Sequence, residues 1–185
     1  NIYDQCVAAG HGDRPYLFAS TSKVTVAGGG ICAVGMSADN YAWTMKNLNV
    51  GAICYDKVNQ LRHCRFLPDG EAVEKLMERH AEVLRPKFAT VQEILSRELD
   101  GWDIARWTKP RGGYFISFYA PAGCAKKIVA RCQEAGLVMT GAGATYPYGQ
   151  DPQDSNIRIA PTLPSIEELA VAMELFCVVV KLIAV

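Results

Sequence analysis

Apolar and polar positions change period several times along this chain, and each change predicts an element. After Pro15, Tyr16-Leu17-Phe18-Ala19 is a short apolar run that predicts a strand ending in Ser20-Thr21-Ser22-Lys23. Val24 to Gly30 leads through three consecutive glycines into a second apolar run, Ile31 to Met36, also read as a strand. Ser37 is a good N-cap for a helix through about Leu48. Pro68-Asp69-Gly70 signals a turn. Beyond it Val73, Met77, Leu84, Phe88, Val91 and Leu95 recur at helical spacing over a long stretch. Pro86 is expected to kink that helix or to start a new segment. Tyr114-Phe115-Ile116-Ser117-Phe118 predicts a strand, and Ala125–Ala135 an amphipathic helix ended by Gly136. Leu137-Val138-Met139-Thr140 and Asn156-Ile157-Arg158-Ile159-Ala160 read as two further strands. Ser165-Ile166-Glu167-Glu168 is a capping box before a last helix. Strands and helices mix throughout, so the class is α/β or α+β in two lobes, with the long helix between them.

Composition narrows the partners. Hydrophobic residues make up 50% of the 185 and charged residues 21%, which excludes a disordered or collagen-like chain. Length predicts one domain or slightly more. Nineteen basic and nineteen acidic side chains cancel, so the footprint of a nucleic-acid binder is absent. No secretory signal is visible, and the apolar run Phe176–Val185 carries Lys181 and is too short to span a bilayer. Seven cysteines and three histidines form no C-x-x-C pair and no zinc spacing. The cysteines are read as mostly buried structural thiols, no metal site is expected, and this usage fits a reducing cytoplasm.

Four places could carry chemistry. Lys23 follows a predicted strand and has hydroxyls close before it. Its amine could form a Schiff base with an aldehyde cofactor whose phosphate the hydroxyls bind, or it could be an ordinary solvated lysine. Gly28-Gly29-Gly30 matches neither a dinucleotide fingerprint nor a P-loop, and permits unusual φ or close backbone approach. Pro110-Arg111-Gly112-Gly113-Tyr114-Phe115 is either a plain turn into a strand or backbone passing close to a ligand. Arg158 lies between apolar neighbours, so it either makes a structural ion pair or offers its planar fork to a carboxylate ligand.

Taken together, Ser20-Thr21-Ser22-Lys23, Pro110 to Phe115 and Asn156-Ile157-Arg158-Ile159-Ala160-Pro161 occur in the order found in fold-type I, pyridoxal-phosphate-dependent aminotransferases. Phe18 to Lys23, Asp56-Lys57-Val58-Asn59-Gln60-Leu61-Arg62-His63 and Gly141-Ala142-Gly143-Ala144-Thr145-Tyr146-Pro147-Tyr148-Gly149 resemble its aspartate aminotransferase-like bacterial branch. The resemblance covers essentially the whole chain. It implies an α/β fold in which residues 1–85 are the last strands of the large, cofactor-binding domain with the start of the bridging helix, and residues 86–185 are the α+β C-terminal small domain.

The resemblance also implies roles. Pyridoxal 5'-phosphate would be the cofactor, with Lys23 as its Schiff-base lysine and then the base that moves the proton. Ser20 and Ser22 would lie near the phosphate, and Arg158 would hold the substrate α-carboxylate. The protein would be a cytoplasmic homodimeric transaminase passing an amino group between an L-amino acid, aspartate being a candidate, and a 2-oxo acid. Two alternatives share the fold: the effector-sensing domain of a transcription regulator, and a C–S lyase. Two departures from the family stand out. The phosphate-binding arginine that many relatives carry eight residues after the lysine is replaced by Ile31. The family's aspartate, tyrosine and asparagine around the cofactor ring precede the lysine by more residues than stand ahead of Lys23. The chain, which begins at Asn1 and ends in an apolar run, is therefore expected to be the C-terminal portion of a longer protein, with an apolar face and a sheet edge exposed.

Overall fold

The computed structural model describes residues 1–48, 50–51 and 53–184. The predicted strand at Leu17 and the predicted helix ending at Leu48 lie within that range, whereas Val185, the end of the apolar run, lies outside the described residues. Two compact units divide the chain, Asn1–Arg79 and His80–Val185.

The first unit opens with helix α1 (Ile2–Ala8), whose N-cap Asn1 accepts a hydrogen bond from the Tyr3 amide. Strands β1 (Leu17–Ser20) and β2 (Cys32–Gly35) pair antiparallel, with Leu17 opposite Gly35 and Ser20 opposite Cys32. Helix α2 (Ala38–Leu48) starts at Ser37, whose hydroxyl accepts the Asn40 amide. Helix α3 (Lys57–Phe66) is capped by Asp56, which accepts from the Asn59 amide at 2.9 Å. Neither α1 nor α3 is foreseen by apolar periodicity. In α3 the apolar side chains Val58, Leu61 and Phe66 are all exposed, so no buried stripe marks the helix. Both faces of β1 and β2 are exposed as well, with Phe18 79% accessible. Among the described residues of this unit, only His63 and Leu76 are buried.

Helix α4 (Gly70–Leu99) begins in the first unit and ends in the second. Asp69 accepts the Ala72 amide at its start. The helix runs unbroken through Pro86, contrary to a new segment starting there. The proline costs one hydrogen bond, to the Glu82 carbonyl, and the apolar stripe that continues on both sides holds the helix together.

The second unit wraps the C-terminal half of α4 with a three-stranded antiparallel sheet, β3 (Arg106–Trp107), β4 (Ile116–Tyr119) and β5 (Asn156–Ile159), and helices α5 (Ala125–Glu134) and α6 (Ile166–Ala184). Ile157 and Ile159 enter its core with Ile116, Phe118, Val91, Leu95, Ile128 and Phe176. Phe118 is the hub: it stacks on Trp107 and meets Phe176 edge-on, with centroids 4.9 Å apart. The capping box of α6 closes as expected, the Ser165 hydroxyl accepting the Glu168 amide while Glu168 accepts the Ser165 amide. Glu98 near the end of α4 accepts from Lys181 of α6 at 2.9 Å.

Two expectations need correction. Leu137–Thr140 is not a strand: α5 stops before a glycine with φ 89°, and the segment that follows has no ladder partner among the described residues. Nor are most cysteines buried, since Cys32, Cys54 and Cys64 are exposed and only Cys132 and Cys177 are fully enclosed. The latter two thiols are pushed up by burial, to about 11 and about 12. A thiol-reactive probe at pH 7 should therefore label Cys32, Cys54 and Cys64 and spare Cys132 and Cys177 until the protein is denatured, as peptide mass mapping would read out. Phe118→Ala should destabilise the second unit by ~3–5 kcal/mol, measured by chemical denaturation.

Candidate functional site

Each unit carries one cluster with chemical potential. In the first, β1 delivers Ser20 and the chain then turns tightly. The Thr21 carbonyl accepts the amides of both Val24 (2.8 Å) and Thr25 (2.9 Å), and Lys23 sits on this turn, exposed, with Ser20 and Ser22 beside it. The two serine hydroxyls are 2.8 Å apart, and the Ser22 amide also donates to the Ser20 hydroxyl. The glycine run passes directly against this turn. A Cβ on Gly30 would stand 2.7 Å from Ser22 Oγ and 2.9 Å from its Cα, so only glycine lets the backbones approach. Ile31 contributes its backbone: its amide donates to Thr21 Oγ1 and its carbonyl accepts the Thr21 amide, both at 2.9 Å.

Sequence reasoning quoted Asp56–His63 only as a matching motif. The structure gives it a position: Asn59 of α3 donates to the Gly29 carbonyl at 2.8 Å, and the buried His63 ring lies 2.9 Å from Thr25 Oγ1 and 3.3 Å from Thr21 Oγ1. The one signal available beforehand was the Asp56 cap.

In the second unit, β5 sets Ile157 and Ile159 toward the core and Asn156 and Arg158 on its other side, as a two-residue period requires. Arg158 stands opposite Ser117 of β4. Its guanidinium carbon lies 4.5 Å from the centre of the Phe115 ring, and its Nη2 donates to Thr140 at 3.3 Å. Its Nε is buried with no hydrogen-bond partner, and among the described residues no carboxylate pairs with it. The structural ion pair that a charge between two isoleucines could have signified is thus absent among the described residues. The Pro110–Phe115 motif supplies the aromatic face under this arginine, and the mispredicted strand at Leu137 supplies Thr140.

Asn156 fixes the strand from below. Its side-chain amide donates to Ser117 Oγ (2.8 Å) and the Phe118 carbonyl (3.3 Å), and its carbonyl accepts from Thr145 (2.6 Å). Asp151 in turn accepts the amides of Gln153, Ser155 and Asn156. Burial alone would raise the Asp151 carboxyl, but these three donors, with Lys126 nearby, outweigh it and hold it below the usual range. In the segment leading to Asp151, Gly143 has φ 83° and a Cβ there would run into the Gly149 carbonyl. The Lys87 ammonium fastens the loop after β5 by donating to the carbonyls of Thr162 and Pro164. A separate cleft of about 280 Å³ is lined by Asp103, Arg106, Tyr119, Gln153 and Ser155, and Arg158 is not part of it. Among the described residues no group of three or more His, Cys, Asp or Glu side chains could hold a metal, and no helix is long and apolar enough to cross a membrane.

Known proteins share this architecture. An aspartate transaminase of Corynebacterium glutamicum superposes with a TM-score of 0.94 at 43% identity, covering 100% of this chain and 43% of its own. The α-aminoadipate aminotransferase LysN of Thermus thermophilus, complexed with N-(5'-phosphopyridoxyl)-L-leucine, has a TM-score of 0.79 at 18% identity over 99% of this chain and 46% of its own, a likeness of fold. The fold is therefore that of the fold-type I aminotransferases, in the α/β class. Within that class the chain belongs to the aspartate amino-transferase family, whose profile matches residues 1–185. It is 46% identical over 167 residues to an aspartate aminotransferase of Corynebacterium glutamicum, covering 90% of this chain and 39% of that protein. It is 50% identical over 174 residues to a Mycolicibacterium smegmatis protein assigned as an aminotransferase, covering 94% of this chain and 41% of that one. The chain thus spans about two fifths of the length of the curated relatives it matches.

Asp151→Asn should loosen the start of β5. Because the carboxyl is depressed in the folded state, its contribution is present above the ordinary carboxylate pKa and is lost as pH falls through the folded value. The variant should be less stable than the parent at pH 7, and the gap should close on acidification, as thermal melts across pH would register.

Proposed function

We propose that the protein is a transaminase using pyridoxal 5'-phosphate, which moves an amino group between an L-amino acid, aspartate among them, and a 2-oxo acid. The observation that carries this reading is Arg158: a guanidinium on an aromatic face, with a buried Nε that no group of the described chain satisfies. A buried donor left unpaired is costly, and a planar fork suits a carboxylate that arrives with the substrate. The relatives are named as aminotransferases rather than as regulators or lyases, which favours this over the two alternatives.

The first unit's donor set fits the cofactor. Two hydroxyls 2.8 Å apart and an amine on the same turn suit a phosphate and an aldehyde, and the approach of Gly30 keeps them at one rim. Bound pyridoxal phosphate supplies the electron-withdrawing ring on which the electrons of a broken Cα bond are stored. Lys23 contributes a primary amine, as covalent anchor and then as the base that takes the proton from the substrate Cα. Ser20 and Ser22 donate to phosphate oxygens, a task to which the backbone at Ile31 brings no charge. Arg158 binds the α-carboxylate through two parallel N–H donors and so orients the bond to be broken. In this reading residues 1–85 belong to the cofactor-binding domain and residues 86–185 to the small domain. The family resemblance further implies a homodimer working in the cytoplasm.

In the intact protein, pyridoxal phosphate followed by borohydride should fix a pyridoxyl group on Lys23, identified by peptide mass. Lys23→Ala should abolish both this adduct and transamination with aspartate. Arg158→Ala should raise KM for the amino acid about 10- to 100-fold, the worth of a charged, bidentate contact, with the adduct on Lys23 unchanged. Turnover surviving in Lys23→Ala would overturn the proposal.

A further inference from the structure

We propose that His63 is a positioning residue for Lys23, acting through the two threonines that flank the lysine at equal distance in the chain. The inference rests on the role given to Lys23 above. His63 is 8% exposed and makes its contacts through both ring nitrogens. Nδ1 lies 2.9 Å from the Asn59 carbonyl, which can only accept, so Nδ1 carries the hydrogen. In the neutral ring Nε2 is then an acceptor. The Thr25 hydroxyl, at 2.9 Å, is the nearer donor to it, while Thr21 Oγ1 at 3.3 Å is already accepting the Ile31 amide. One ring nitrogen therefore stands within reach of both ends of the turn that carries Lys23, and the Thr25 hydroxyl, 3.2 Å from both the Thr21 carbonyl and the Thr21 hydroxyl, joins them.

The same helix reaches the opposite side of the loop. Asn59 ties down Gly29, and the next residue, Gly30, lies against Ser22. Helix α3 thereby braces the lysine turn and the glycine run together. Such bracing matters on chemical grounds. Directional hydrogen bonds on both sides of the turn bear on where the amine stands, and a fraction of an ångström in that position changes how readily it reacts. A merely structural histidine would affect stability alone. A positioning histidine must affect the reactivity of Lys23, and must do so through Thr25.

The test uses the intact protein and pyridoxal phosphate as the probe. The Lys23 amine adds to the probe's aldehyde and water leaves. Borohydride then delivers hydride to the resulting carbon–nitrogen double bond, water protonates the nitrogen, and the adduct is counted by mass. His63→Asn keeps an amide donor where Nδ1 stood and loses the acceptor at Nε2. His63→Gln places an amide oxygen where Nε2 stood. Thr25→Val removes the hydroxyl with little change in volume. We expect His63→Asn and Thr25→Val each to slow adduct formation about tenfold, the worth of one buried hydrogen bond, and the double variant to be no slower than either by more than about twofold. His63→Gln should recover most of the rate. In turnover kcat should fall while KM for the amino acid holds, since the Arg158 cluster is untouched. Thermal melts identify any variant that fails to fold, in which case Thr25→Val alone decides. Adduct formation at the parent rate in His63→Asn and Thr25→Val, or losses that multiply in the double variant, would overturn the inference while leaving the function intact. No adduct on Lys23 in the unsubstituted protein would instead overturn the functional reading, and this one with it.

Discussion

The two-residue period of β5 is the constraint on which the second unit depends. Ile157 and Ile159 must enter the core beside Phe118, so Asn156 and Arg158 are forced to the other side of the strand. A one-residue slip would drive a guanidinium into a hydrophobic interior, at a cost no neighbouring carboxylate of the described chain offsets. Register is therefore specified twice, by what must be buried and by what must not. Asn156 adds a third specification, since its amide bonds reach Ser117 and Phe118 on the neighbouring strand only in the observed alignment. The arginine is held by the core without belonging to it.

The first unit solves the same problem by different means. Among its described residues only His63 and Leu76 are buried, and its strands are open on both faces. Its order around Lys23 comes from polar links: Thr21 to Ile31, Asn59 to Gly29, His63 to both threonines. Hydrogen bonds are directional where apolar contacts are not, and each is worth only about 1 kcal/mol net. Such a network can define a position closely while contributing modestly to stability.

This contrast explains what was legible in the sequence. Elements that bury a stripe are legible: apolar patterning predicts α5, β4 and β5 to within two residues at each end and marks the body of α4, and a capping box marks the start of α6. Among the elements that bury nothing, β1, β2 and α2 are still marked by short apolar runs and by the Ser37 cap, whereas α1 and α3 carry no such mark. In α3 the apolar side chains Val58, Leu61 and Phe66 are exposed, so no periodic stripe marks the helix. Leu137–Thr140 differs in the opposite sense: its run of apolar residues looks like a strand, yet Val138 is exposed and no partner among the described residues pairs with it. Local propensity at Pro86 argues for a kink or a new segment, and the new segment does not form because packing along a stripe that continues on both sides carries the helix through.

The candidate site was legible by a different route. Lys23, Ser20, Ser22 and Arg158 are conspicuous as residue types in short motifs, and taken singly each had an ordinary explanation. Among the described residues one of those explanations falls away, the internal ion pair at Arg158. The structure also supplies reasons for motifs that had none. Gly30 is small because Ser22 stands against it, and the aromatic after Gly112-Gly113-Tyr114 lies under a guanidinium. His63, by contrast, could not be found from the sequence. Its partners are separated from it by 38 and 42 positions, and nothing in a lone histidine on a polar helix reveals which loop it faces. Residues that perform chemistry are limited in type and so can be guessed; residues that position them are limited only by geometry, and a fold is needed to see them.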